Sequence, residues 1–227
     1  MNANKETEGY AEDSGEITFG DYAVLDIVPL CPAGNVKETA QQPHPHHGLA
    51  VAALYSSNTG RVWLFEESSV SHLAGKLVES FSIVGHDLEN EYAILRSYKG
   101  TKEALEERCV DMDLRKLMAD AEPGLSPGLD ELCKANFGLA RGPQTSELQK
   151  LWAQGDKLKA VEGCLTRVLR KLQLYQALLQ CGFLYVAKPE YHRVDLPWLK
   201  IRCKTGDPDV VSSNIPASFD IATPKPE

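Results

Sequence analysis

The chain has 227 residues, 43% of them hydrophobic, and this allows one sizeable domain more readily than two small ones. Its formal charge of -8 argues against a broad basic surface that grips nucleic acid through phosphates alone, while leaving room for a local basic groove. Six cysteines (Cys31, Cys109, Cys133, Cys164, Cys181 and Cys203) are scattered without a CxxC pair, which suits reduced thiols in a cytoplasmic protein. The opening "MNANKETEGYAEDSGE" has no apolar run of a signal peptide, and no stretch reaches the length of a membrane span, so no membrane partner is expected.

In chain order, residues 1–16 have the composition of a disordered arm. "YAVLDIVPL" (22–30) is nearly all apolar, as in a strand buried on both faces. After a loop rich in Pro, Gly and Gln, "GLAVAALYS" and "RVWLFEE" flank "SNTG" as the arms of a hairpin. "SVSHLAGKLVES" predicts a short helix that Ser68 or Ser69 would cap. "FSIVGHD" is the next buried strand, and "LENEYAILRSYKG" the next helix, closed by Gly100.

From there the pattern turns helical, through "SPGLDELCKANFG" and "TSELQKLWAQG" into "DKLKAVEGCLTRVLRKLQLYQALLQCG". In this last helix Leu158, Val161, Leu165, Val168, Leu172, Tyr175 and Leu179 recur at helical spacing, which marks a core-facing stripe. A final strand, "FLYVA", precedes "EYHRVDLPWLKI" and a flexible tail from about residue 204. Strand, hairpin, helix, strand and helices make an α/β order with a mixed sheet. The early hairpin disfavours a plain dinucleotide fold, and "GNVKET" lacks the glycine spacing of a phosphate loop. No GxSxG or HExxH occurs either, so no other hydrolase class has a motif behind it.

Three segments, "VLDIVPL", "IVGHDLENEYAIL" and "KAVEGCLTRVLRKLQLYQALLQCGFLYV", in this order and spacing, resemble the DEDD 3'-5' exonucleases of the ribonuclease H-like superfamily. The likeness is nearest to the bacterial YprB-like branch and covers roughly residues 20–200. It implies a single ribonuclease H-like domain over 17–203: a mixed sheet flanked by helices. It also implies a centre in which four carboxylates hold two divalent metals, Mg2+ or Mn2+, about 4 Å apart.

On those motifs the first strand would offer an Asp and, two residues on, a Glu on the same face. Here the pair is Asp26 and Val28. The second motif would place an Asp six residues after the turn glycine; counting from Gly85 gives Glu91. Asp87 stands in the turn itself, where capping the following helix is its plainer role. The third motif would set a water-orienting Tyr or His and, four residues later, an Asp on one helical face. Gly163 and Arg167 occupy those places.

The resemblance therefore implies a vestigial site of Asp26, Val28, Glu91, Gly163 and Arg167, with Asp26 and Glu91 as the remaining metal candidates. A guanidinium roughly 5 Å from a divalent ion opposes it by about 6–7 kcal/mol at an effective dielectric of about 20. Arg167 would instead pair with Asp26 or Glu91 and fill the place of a metal. No catalytic residue and no cofactor are expected on this reading. The domain would persist as a module for single-stranded nucleic acid, or for a nucleic-acid-processing protein such as a helicase. The competing reading is an active metal-dependent exonuclease in which Asp87, Asp111 or Glu162 helps Asp26 and Glu91. Glu162, five residues before Arg167, lies about 140° away around the helix and is no simple substitute.

Other features have plainer explanations. His44, His46 and His47 sit in "PHPHH" without a placed fourth ligand, and His86 belongs to a turn where a satisfied, buried ring is usual. Asp111 and Asp113 alternate as on a strand and also fit a helix start. Trp63, Trp152 and Trp198 are dispersed and read as packing residues. Arg167, Arg170 and Lys171 in "RVLRK" form the densest basic cluster, which reads as a solvated helix face.

Overall fold

A computed structural model describes residues 21–30, 48–106, 110–187, 191–196 and 221–222. The 1–16 arm, the PHPHH loop, Trp198, Cys31, Cys109 and Cys203 lie outside them. The apolar runs become the centre of a sheet: β1 (Tyr22–Pro29), β2 (Leu49–Ser56), β3 (Arg61–Phe65) and β4 (Ser82–Gly85). The hairpin partners β2 and β3 are antiparallel, β1 is antiparallel to β2, and β4 runs parallel to β1 with Val24 opposite Val84.

β5 (Val110–Asp113) adds in parallel beyond β4, and β8 (Ile221–Ala222) adds in parallel beyond β3, giving the order β5-β4-β1-β2-β3-β8. The pair at 221–222 falls within the expected tail, the rest of which is outside the described residues. "FLYVA" supplies β6 (Phe183–Val186), which pairs with β7 (His192–Asp195) in a separate two-stranded sheet. β5 is the extended run in which Asp111 and Asp113 alternate, with no place in the sheet assigned to it from the sequence, and β7 was not evident there. Each is four residues long, and alternation over so short a run is a weak signal.

Helices cover both faces. α1 (Val70–Glu79), α2 (Leu88–Leu95) and α3 (Thr101–Glu106) lie on one side, packed through Leu73, Leu77, Tyr92 and Leu95 onto Ala23, Leu25 and Ile27. α4 (Leu114–Ala121), α5 (Leu129–Phe137), α6 (Thr145–Ala153) and the long α7 (Lys157–Cys181) lie on the other, against Val24 and Val28. β1 is thus buried on both faces, as its near-continuous apolar run requires. Among the described residues no helix is long and apolar enough to cross a membrane.

Local details differ from expectation where side chains found other partners. α2 stops at Leu95, short of Gly100, and Thr101 opens a new helix. Ser69 does not cap α1 with its hydroxyl; that oxygen receives the Glu66 N–H and closes the preceding turn. Leu158, counted in the apolar stripe, is 70% exposed, and the buried positions of α7 begin only at Ala160.

Candidate functional site

Strand alternation directs Val24, Asp26 and Val28 from β1 toward α7, while Leu25 and Ile27 face the opposite layer. Asp26 is therefore a carboxylate fully buried under a helix. α7 meets it with a stripe of Cys164, Val168, Lys171 and Tyr175, all buried, and with Arg167 beside that stripe. Glu91 enters from the first turns of α2, which begins just after β4, the parallel neighbour of β1. Gly85 makes that approach possible: a Cβ there would come within 2.3 Å of Leu88 and 3.2 Å of the Glu91 Oε2.

The three sequence-predicted residues Asp26, Glu91 and Arg167 thus lie together, and Lys171 joins them at the centre. The Arg167 Nε–H is shared between the two Asp26 oxygens, at 3.0 and 2.9 Å. The Lys171 ammonium is within 2.7 Å of Asp26 Oδ1, 2.5 Å of Glu91 Oε1 and 2.8 Å of the Leu25 carbonyl oxygen. An ammonium has three donors, and here each has an acceptor. The Cys164 thiol lies 3.5 Å from Asp26 Oδ2.

Burial and pairing compete at each group. Burial alone would raise the pKa of Asp26, but Arg167 and then Lys171 outweigh it and hold the carboxyl below its ordinary value. Burial opposes the charge on Lys171, and Asp26 and Glu91 overcome that, so its pKa is raised. Glu91 fares differently. Burial dominates, Lys171 is shared with Asp26, and the Glu91 carboxyl is pushed up to about 7. Its Oε2 is buried with no hydrogen-bond partner among the described residues.

These residues do not fit a pair of divalent ions. Two carboxylates are already matched by two cations, and the Lys171 nitrogen holds the oxygen cage a metal would need. Val28, where the resemblance would place a second carboxylate, is fully buried among apolar side chains. At Gly163 a Cβ would meet Leu148 Cδ2 at 2.2 Å, so α6 leaves no room for the water-orienting side chain that the resemblance would place there.

The other carboxylates have different roles. Asp87, the sole described non-glycine residue at positive φ (72°), stands at the N-cap of α2 but does not cap it with its side chain. Its Oδ2 takes bonds from Asn90 at 2.6 Å and Arg115 at 3.1 Å. The cap is Asp113, whose carboxylate accepts from the backbone N–H groups of Asp87, Leu88, Arg115 and Lys116 and so serves the starts of both α2 and α4. Asp111 and Glu162 are exposed. His86 is half-buried with Nε2 2.9 Å from the Pro127 carbonyl oxygen, and burial pushes its pKa down. Among the described residues no group of three or more His, Cys, Asp or Glu side chains is placed to hold a metal.

The basic cluster "RVLRK" is not a solvated face. Lys171 is fully buried, Arg167 pairs with Asp26, and Arg170 bonds Asp130 at 2.7 Å and the Ala140 carbonyl oxygen at 2.8 Å. The sequence did carry a signal for Lys171. It stands at the fourfold and threefold spacing of Cys164, Val168, Tyr175 and Leu178, a lysine inside an apolar stripe, which demands a buried anion.

No protein-family model and no curated protein matches this chain. Among solved structures, it is similar to the family B DNA polymerase from the hyperthermophilic archaeon Pyrobaculum calidifontis. The TM-score is 0.53 and the identity 16%, over 71% of this chain and 25% of the polymerase, so the match spans about a quarter of that protein. At this identity the likeness speaks for the fold: an α/β, ribonuclease H-like mixed sheet flanked by helices.

Proposed function

We propose that this chain is a 3'-5' exonuclease-like domain without catalytic activity, retained to bind single-stranded nucleic acid or a nucleic-acid-processing protein such as a helicase. One observation carries the reading: a fully buried Lys171 ammonium bridges Asp26 and Glu91, the two carboxylates left at the motif positions. An internal cation in that place supplies charge balance but neither activates water nor clamps a leaving oxygen, the two tasks of the metals in two-metal phosphodiester hydrolysis. The solved-structure likeness supports a nuclease-like fold beneath it.

The test is a gel assay of labelled single-stranded DNA and RNA with Mg2+ or Mn2+ titrated against a chelator control. No shortening above background is expected. Metal-dependent shortening that Asp26→Ala abolishes would overturn the proposal. Restoring activity should need more than Val28→Glu, Gly163→Tyr and Arg167→Asp together, because Lys171 and Leu148 also obstruct the site.

A further inference from the structure

We infer that the closed centre is a phosphate-binding site, in which Arg167, held from behind by Asp26, presents its terminal guanidinium nitrogens to a phosphate group of single-stranded nucleic acid. This rests on the proposed function and names the ligand chemistry of the same site. The supporting feature is how Arg167 is attached. Only its Nε–H is engaged, shared between the two oxygens of Asp26. Nη1 and Nη2 donate no hydrogen bond among the described residues, and neither belongs to the buried polar atoms left without a partner. The side chain keeps 17% of its surface open.

A guanidinium gripped at Nε is fixed in direction, and its two outer nitrogens form the planar fork that matches two phosphate oxygens. Other cations of the centre cannot compete for the ligand. Lys171 has all its donors occupied, and Arg170 is tied to Asp130 and Ala140. Arg167 would then recognise a phosphodiester directly, without a metal.

The experiment is fluorescence anisotropy of a short labelled oligothymidylate in EDTA, with inorganic phosphate as competitor, on the unmodified protein and on Arg167→Lys. Lysine keeps a cation beside Asp26 but removes the fork. Binding that Arg167→Lys weakens by about tenfold or more, at unchanged melting temperature, is expected. Competition by inorganic phosphate would identify the phosphate group itself as the ligand; oligonucleotide binding without it would identify the diester chain. Equal affinity in the variant, or binding of neither probe by the unmodified protein, would overturn the inference. If Arg167→Lys does not fold, guanidinium NMR of the unmodified protein decides: phosphate must move the Arg167 Nη resonances, and static resonances count against it. The chelator keeps the two readings apart, since loss of this site leaves the absence of metal-dependent cleavage untouched.

Discussion

Two lysines of α7 sit equally close to a carboxylate and mean different things. Lys159 is 2.6 Å from Asp156 in the first turn, and Lys171 is 2.7 Å from Asp26 further along. The first pair lies in water, with side chains 66% and 36% exposed; the second is fully buried. In water the ions lose little when separated, since solvent replaces each partner. In the interior nothing replaces the partner, so the pair is needed even where its formation contributes little net stability. Distance alone therefore does not identify the ion pair that matters. Burial does.

The strongest way to test this contrast is to delete the buried cation. Lys171→Met should destabilise the protein by about 3–5 kcal/mol in urea unfolding, because Asp26 and Glu91 would then share only Arg167. Adding Glu91→Leu to that variant should recover part of the loss. A second change probes the space around the centre rather than its charge. Gly163→Tyr drives a side chain into Leu148 and should cost about 1–3 kcal/mol without creating activity.

The third compares neutralisation by cations with neutralisation by backbone. Asp113 is satisfied by the N–H groups of two helix starts, so Asp113→Ala should cost about 1–2 kcal/mol for each lost cap. Hydrogen exchange should quicken at both α2 and α4, and a change confined to one helix would refute the shared cap.

The fourth prediction concerns pH. Glu91 rises from an ordinary 4.5 to about 7 in the fold, so the native state holds a proton that the unfolded chain has released. Stability from this group is therefore full below about 4.5 and falls as pH climbs to about 7. Asp26 has the opposite sign: its depressed pKa contributes stability above the ordinary value of 3.8, lost as acid reaches the lower folded value. Urea midpoints of the unmodified protein should decline between pH 5 and 7, and those of Glu91→Gln should lack that decline. Least of all should change with Lys159→Ala, whose midpoint should match the unmodified protein within error, as its exposed pair implies.

Much of this architecture is legible in the amino-acid sequence. The runs at 22–30 and 48–56 are apolar at nearly every position, and such runs have few places to go except the middle of a sheet. The family resemblance likewise implied that Asp26, Glu91 and Arg167 are neighbours, and they lie around Lys171. What failed was the reading of "RVLRK" as a solvated face. Counting charges along a helix ignores which side of it is covered, and α7 turns Lys171 inward with Cys164, Val168 and Tyr175.

Asp87 and Asp113 make the same point from the other direction. Sequence adjacency nominated Asp87 as the cap of α2, yet β5 pairs with β4 and puts Gly85 opposite Asp113, bringing the distant carboxylate to the helix start. Helix and strand identity follow from local residue pattern, since periodicity is a property of the chain itself. Which cation occupies the centre, how Arg167 is turned and which acid caps α2 depended on packing between elements. Those are contacts between residues about 80 to 146 positions apart for Lys171, a scale on which no local pattern in the chain carries information.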